Sequence, residues 1–255
     1  MSLGSYSSEH NLGQTLSRHL KKSLLRHILP QPVTARHTEY SMLFSSDDEL
    51  TQPSARLITL AQQLIETTRG LRLDALQSRV GGPEDFFNLW PGEHHRLLAG
   101  LVMVCRPQLV IEIGTGSGCS ALAMKHTLPS EGQIVTFDIV PWQRAPEGLL
   151  RESDFQDGRL AQYTDDLTWQ EGFEMHRGLF ERADLIFIDA AKDGRMEERL
   201  VKTLRMVAFR TRPVFVFDDI RLWNMLKIWR ELPWPKLDFT SFGHWTGTGL
   251  VEWQP

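Results

Sequence analysis

The sequence predicts an α/β fold: an open, mostly parallel sheet with helices before it and an antiparallel hairpin at its C-terminal end. Three observations predict it. From residue 108 onward, short apolar runs recur between Gly, Pro or Asp, namely LVIEIG, QIVTFDIV, GRLAQYT, ADLIFIDA and PVFVFDD. Runs of this length without polar alternation suit strands buried on both faces, and the helical patterns between them suit the crossovers that parallel strands require. The closing segment LDFTSFGHWTGTGLVEWQ holds two strand-like runs around a Gly-containing turn, most simply a hairpin.

In chain order, the first element is a helix. Leu16, Leu20, Leu24 and Ile28 recur as one stripe in a basic, acid-poor N-terminal stretch, and Pro30 and Pro32 end it. Such a stripe suits a docking or dimerisation helix; an organellar transit peptide has the same profile. A second helix is expected from Pro53 to about Thr68, with Thr51 or Ser54 at its start and Leu57, Leu60, Leu64 and Ile65 on one face. Gly70, Gly81, Gly82 and Pro83 punctuate the stretch after it. A third helix is expected to start at Pro91 and stop before Pro107, since proline is tolerated at the first helical position. The domain reading is therefore a helical cap over residues 1–90 and a cofactor-binding α/β domain over 91–255.

Composition bounds the function. The chain has 255 residues, 41% hydrophobic and 24% charged, with 28 Lys plus Arg against 32 Asp plus Glu and a formal net charge of -4. That balance lacks the basic excess of a nucleic-acid-binding protein. No apolar run approaches the roughly 18 residues that span a bilayer. Two cysteines, Cys105 and Cys119, are too few for a disulfide scaffold or a four-ligand zinc site and suit a reducing compartment. The expectation is a cytoplasmic protein with a small-molecule substrate, no nucleic-acid or membrane partner, and a homodimeric state.

The first strand runs into VIEIGTGSGCSALAM, where Gly114, Gly116 and Gly118 alternate ahead of a helix. Glycine there allows a tight turn and lets backbone N–H groups approach a ligand closely. A dinucleotide fingerprint, G-x-G-x-x-G, fails at Cys119. The pattern present, E-x-G-x-G-x-G led by Glu112, resembles the nucleotide loop of class I S-adenosylmethionine methyltransferases, which implies a Rossmann-like fold. Asp138 closes the next strand, where an acid can grip two ribose hydroxyls. A plain strand-to-helix connection would use the same glycines, and a strand-end cap the same aspartate.

Asp189 ends one apolar strand, and Asp218 and Asp219 end the next. Ligands of open α/β sheets bind outside the carboxyl ends of the strands, so the three acids should converge near the glycine loop. Clustered carboxylates repel, and an all-oxygen set suits a hard divalent cation, Mg2+ before Ca2+ or Mn2+. Capping of the IRLWNMLKIW segment would explain Asp219 but not all three acids.

IFIDAAKD and FDDIRLW together resemble the metal motifs of the catechol and caffeoyl-CoA type O-methyltransferases, from roughly Leu98 to the end of the chain. The resemblance implies a metal set of Asp189, Asp218 and Asp219, the last standing where the family pattern has Asn. It implies Asp189 and Lys192 as catalytic residues, with Lys192 as general base. A free lysine has a pKa of about 10.4, so a base needs that value depressed, and a bound cation would depress it. A surface lysine paired with Asp193 or Glu197 is the alternative. The cofactor contacts implied are Glu112, Gly114, Thr115, Gly116, Ser120 and Asp138, with Thr164 and Asp165 toward the adenine. Trp90, His94, His95, Trp142, Trp223 and Trp245 are candidates for substrate-pocket walls, although the two histidines read as surface or capping residues. The function expected is metal-dependent methylation, from S-adenosylmethionine, of a small-molecule hydroxyl: phenolic or catechol-like, or on a natural-product sugar or polyketide. A non-methylating relative that binds nucleoside and metal, or an NAD-type oxidoreductase, is the alternative.

Overall fold

Every apolar run from residue 108 becomes a strand in the computed structural model, which describes residues 51–80 and 85–254. The expected N-terminal stripe from Leu16 to Ile28 and the punctuation at Gly81 to Pro83 lie outside those residues. The strands are β1 (Leu109–Ile113), β2 (Gln133–Phe137), β3 (Leu160–Tyr163), β4 (Leu185–Ile188), β5 (Val214–Asp218), β6 (Lys236–Asp238) and β7 (Thr248–Glu252). They form one sheet in the order β3-β2-β1-β4-β5-β7-β6. The first five strands pair in parallel, and β7 runs antiparallel to both β5 and β6. This is the open, mostly parallel α/β architecture that the apolar runs predict.

The helices are α1 (Ala55–Gly70), α2 (Asp74–Gln77), α3 (Phe86–Leu89), α4 (His94–Cys105), α5 (Cys119–Thr127), α6 (Gln170–Phe180), α7 (Arg195–Leu204) and α8 (Met225–Glu231). Successive strand side chains point to opposite faces, so the sheet has two cores. Val110, Ile134 and Leu185 meet Leu57 and Leu64 of α1, Leu98 and Leu101 of α4 and Met124 of α5. On the other face Ile111, Val135 and Ile186 meet Phe173 and Phe180 of α6, Leu200 and Leu204 of α7 and Trp229 of α8.

Three boundaries differ from the sequence reading. α1 starts after Ser54, whose hydroxyl accepts the Leu57 N–H at 3.1 Å, the usual service of an N-cap serine. α4 starts at His94 and not at Pro91, because Gly92 has a φ of 85° and pairs in an antiparallel bridge with His244. That bridge keeps the backbone before His94 out of the helix. β6 and β7 do pair antiparallel, but residues 239–247 join them in place of a tight turn and include a 3-10 turn at Thr240–Phe242. Among the described residues no helix is long and apolar enough to cross a membrane.

Candidate active site

Because β1, β2, β4 and β5 are parallel, their carboxyl ends share one edge of the sheet. Strand order reverses between β1 and β4, and an open sheet has its ligand crevice at such a switch point. The glycine loop lies there. Gly114 has a φ of 103°, and a Cβ at that position would collide with the backbone carbonyl of Asp189. Glycine thus lets the ends of β1 and β4 close on one another. The Gly116 N–H donates to Asp138 Oδ2 at 3.0 Å, and the Val140 N–H donates to Oδ1 at 2.9 Å. Both carboxylate oxygens of Asp138 are thereby aimed by the backbone around them.

A cavity of about 510 Å3 opens along this edge. Gly114, Gly116 and Asp138 form one end of its wall, Asp165, Leu167 and Thr168 another, and Asp189, Lys192 and Met196 a third. Its volume falls in the range of small-molecule sites, roughly 300–1,000 Å3. A larger groove, about 710 Å3, lies where β1, β4 and β5 begin, away from these residues.

The other expected cofactor residues divide. Asp165 lies on the cavity wall and also contacts His176 Nε2 at 2.8 Å. Asp166, also on the wall, accepts the Thr168 N–H at 2.8 Å in the turn before α6. Thr164 is exposed and is not part of the wall. Thr115 is turned inward, its hydroxyl 2.7 Å from that of Thr136 and accepting from Gln162 at 3.0 Å. Ser120 donates to Glu112 Oε1, so that pair lies behind the loop and off the cavity wall. Burial outweighs the bonds from Ser120 and Thr136 and lifts the Glu112 carboxyl to about 8.

The three strand-end acids do converge: carboxylate oxygens of Asp189, Asp218 and Asp219 lie within 4.8 Å of one another. Asp218 is buried and Asp219 does not cap α8, which begins at Met225 after Asn224. Lys192 Nζ stands 2.6 Å from Asp189 and 2.8 Å from Asp219. Neither Asp193 nor Glu197 takes that ammonium. Asp193 accepts the N–H groups of Arg195 and Met196, and Glu197 accepts those of Lys192 and Gly194. Lys192 and Asp219 have φ values of 59° and 57°, a left-handed conformation that side-chain-bearing residues adopt at a cost and that clusters at functional sites.

Two histidines complete the cluster, and the sequence reading missed the role of both. His244 Nδ1 lies 3.1 Å from Asp218 and 3.0 Å from Asp219. His94 is buried beside them, with Nδ1 3.6 Å from Asp218 Oδ1. His95 is buried too, packed against Phe86 and Phe87. The surface role expected for this pair is therefore wrong: the Gly92 to His244 bridge draws the start of α4 into the site. What places His244 is a register that the sequence does not carry. β7 begins opposite Asp218 in the register, Asp218 pairing with Thr248, so the loop just before β7 must lie beside that acid.

Electrostatics set a condition on the role expected of Lys192. Burial works against a charged Lys192, but the neighbouring Asp189 and Asp219 outweigh it and raise the ammonium's pKa above the ordinary lysine value. Lys192 thus stands as a counter-ion to these two carboxylates, and the depressed pKa expected of a base requires another cation to neutralise them. Burial also opposes an imidazolium at His244, yet Asp218 and Asp219 lift it to about 9. Bonds from His244, Lys192 and Thr246 overcome burial and hold Asp219 well below the usual carboxylate range. Burial, with Asp218 adjacent, pushes Asp189 up to about 6, and burial raises Asp218. Burial lowers His94 to about 4 and His95 to about 3.

Of the aromatic candidates, Trp90, Trp223 and Trp245 are exposed, while Trp142 stacks on Phe155 at 5.1 Å. Trp142 is thereby committed to packing. Trp245 follows His244 directly, Trp90 lies two residues before the bridge partner Gly92, and Trp223 lies four residues after Asp219.

A family model described as O-methyltransferase matches residues 89–226, which hold the glycine loop, Asp138 and all three strand-end acids. The chain belongs to the O-methyltransferase family. This O-methyltransferase family member is 30% identical over 150 residues to tricin synthase 2 of Oryza sativa subsp. japonica, covering 55% of this chain and 47% of that protein. It is 29% identical over 134 residues to caffeoyl-CoA O-methyltransferase 1 of Zea mays, covering 49% of this chain and 47% of that one. The chain spans about half the length of the curated relatives it matches. Its fold is similar to that of the SAH-bound Podospora anserina methyltransferase PaMTH1, with a TM-score of 0.51, 17% identity and 100% coverage of both chains.

The donor chemistry of this family member fits a hard divalent cation. Three carboxylates within 4.8 Å of one another offer only oxygen, as Mg2+ and Ca2+ prefer. The same carboxylates already gather a lysine and a histidine charge around them.

Proposed function

We propose that the protein transfers the methyl group of S-adenosylmethionine to a hydroxyl of a small molecule, with a divalent cation, Mg2+ foremost, held by Asp189, Asp218 and Asp219. The observation that carries this reading is one continuous cavity whose wall includes Gly114, Gly116 and Asp138 together with Asp189 and Lys192. A nucleoside site on the same cavity as the Asp189 and Lys192 edge of the charged cluster is what a two-substrate group transfer needs.

The glycine-loop backbone approaches the methionine part of the cofactor, and Glu112 stands behind it as the acid nearest a cationic amino group. Asp138, with both oxygens aimed by the Gly116 and Val140 N–H groups, takes the ribose hydroxyls. Phe137, Ile139 and Leu167 supply apolar wall toward the base, next to Asp165 and Thr168. In the transfer an acceptor oxygen attacks the methyl carbon as the carbon–sulfur bond breaks, which leaves a thioether and frees the hydroxyl proton. Holding oxygen and methyl in line supplies much of the rate. A bound divalent cation supplies Lewis acidity that lowers the pKa of the acceptor hydroxyl. Lys192 keeps a positive charge beside Asp189 and becomes competent to accept a proton only when the carboxylates are neutralised by another cation. The acceptor class is a phenol, a catechol or a natural-product sugar or polyketide hydroxyl, approached past Trp90 and Trp245.

The test is a methyl-transfer screen of phenols, sugars and polyketide-like alcohols with labelled S-adenosylmethionine, in Mg2+ and in chelator, beside calorimetry with S-adenosylhomocysteine and NAD. Micromolar binding of the demethylated product, no NAD binding and chelator-sensitive turnover are expected. NAD binding without binding of S-adenosylhomocysteine would overturn the reading, and turnover indifferent to chelator would remove the metal from it.

A further inference from the structure

We propose that His94 and His244, with Asp218 shared from the carboxylate set, form a second metal-binding group, one that takes a borderline transition ion, Zn2+, through two imidazole nitrogens and one carboxylate oxygen. The three ligand atoms lie within 4.8 Å of one another. His94 is only 4% exposed, its Nδ1 has no hydrogen-bond partner, and that nitrogen faces Asp218 Oδ1 at 3.6 Å. A buried imidazole nitrogen aimed at a carboxylate across a gap too long for a hydrogen bond is a ligand atom without a ligand.

His244 carries the second sign. Its Nδ1 has both oxygens of Asp218 at 3.1 Å, Asp219 Oδ1 at 3.0 Å and the Thr246 hydroxyl at 2.9 Å. One N–H cannot serve so many oxygens, whereas a cation among them can. Ligand atoms bonded at 2.0–2.1 Å around a tetrahedral ion stand about 3.3 Å apart. The observed separations of 3.6 Å from His94 and 3.1 Å from His244 to Asp218 bracket that edge. The two rings, 5.1 Å apart by centroid, come from α4 and the loop before β7, and the Gly92 bridge to His244 fixes one against the other.

Chemistry separates this group from the all-oxygen set. Imidazole suits zinc and its neighbours, while carboxylates alone suit Mg2+ or Ca2+. Two histidines and an acid make a three-ligand site with a position left open, the composition of a zinc site that also meets a substrate. His244, 15% exposed at its side chain, gives the ion a way in. Zinc binding here does not require that the protein transfer a methyl group.

The test uses full-length protein stripped with chelator and titrated with Zn2+, with bound metal measured by mass spectrometry after gel filtration. Co2+ serves in parallel as a probe, its visible absorption reporting nitrogen ligation at low coordination number. Retained zinc and an intense Co2+ band are expected. His244→Ala and His94→Gln should each weaken zinc binding by about tenfold or more, and Asp189→Asn should leave it unchanged. Failure to retain zinc overturns the proposal, and so does zinc lost in Asp189→Asn but kept in both histidine variants. Should His94→Gln fail to fold by circular dichroism, His244→Ala at the more exposed side chain decides alone. S-adenosylhomocysteine binding measured on the same samples reads the methyl-transfer reading separately.

Discussion

The Lys192 ammonium lies 2.8 Å from the Asp219 carboxylate and ties the loop after β4 to the loop after β5. Asp189 holds the same nitrogen from the other side at 2.6 Å. Replacing the lysine by methionine leaves two acids facing each other with their counter-ion gone. Lys192→Met should lower stability by about 2 kcal/mol in chelator, between the ~1 kcal/mol of an exposed pair and the ~3–5 kcal/mol of a broken buried one. Mg2+ should restore part of that loss. Urea unfolding with and without Mg2+ measures both, and a variant as stable as the parent in chelator would remove Lys192 from the counter-ion role.

Asp138 is held by two backbone donors, and the bonds run both ways: the acid also fixes the glycine loop. Asp138→Ala strips the Gly116 and Val140 N–H groups of their acceptor. Hydrogen bonds to a charged group contribute about 1.5–3 kcal/mol, so a melting-temperature decrease is expected along with at least about tenfold weaker S-adenosylhomocysteine binding, worth some 1.4 kcal/mol. Calorimetry separates the two, because Asp138→Asn retains one oxygen acceptor and should fall between.

Much of this was legible in the chain. Five runs became five parallel strands: β1, β2, β4 and β5 are buried on both faces, which leaves no polar alternation, while β3 lies at the sheet edge with only Leu160 fully buried. Asp138, Asp189, Asp218 and Asp219 could be placed near one another because the ends of parallel strands share an edge. His94 and His244 could not, since their meeting depends on the β5 to β7 register and on the bridge at Gly92, which join segments remote in sequence. The charge of Lys192 was illegible for another reason: it depends on distances of a few ångströms to acids that a motif names but does not position. Thr115 sits in the glycine loop and Ser120 in the first turn of α5, yet both face inward, a matter of side-chain direction that spacing alone does not carry.

Gly114 tests the closeness of β1 and β4 directly. Its φ of 103° disfavours any side chain, and a Cβ would meet the Asp189 carbonyl oxygen and carbon, which are backbone and cannot swing aside. Gly114→Ala should therefore cost about 3 kcal/mol or more, at the upper end of single backbone-strain effects. Gly116→Ala is the control, because open space surrounds that position and only its φ of 49° opposes a side chain. Denaturant midpoints for the two variants give the comparison, and equal losses would mean that strain at φ, and not the approach of Asp189, dominates at Gly114.

The pH dependence of stability rests on Glu112. Its carboxyl is raised by burial from the ordinary 4.5 to about 8, so the folded protein keeps a proton that the unfolded chain releases across that window. The stability this contributes is complete below 4.5 and is lost as pH rises toward 8. Asp189, raised to about 6, acts in the same direction over the lower part of the window. Glu112→Gln still offers Ser120 an oxygen acceptor but cannot ionise, so its stability should fall less steeply with pH, by up to about 1.4 kcal/mol per pH unit. Urea unfolding measured across the window gives the two slopes, and identical slopes would contradict a buried, protonated Glu112. A cationic amino group bound near this acid would favour its charged form, so S-adenosylmethionine binding near neutral pH should release a proton that the Gln variant does not. Calorimetry in buffers of different ionisation enthalpy reads that proton.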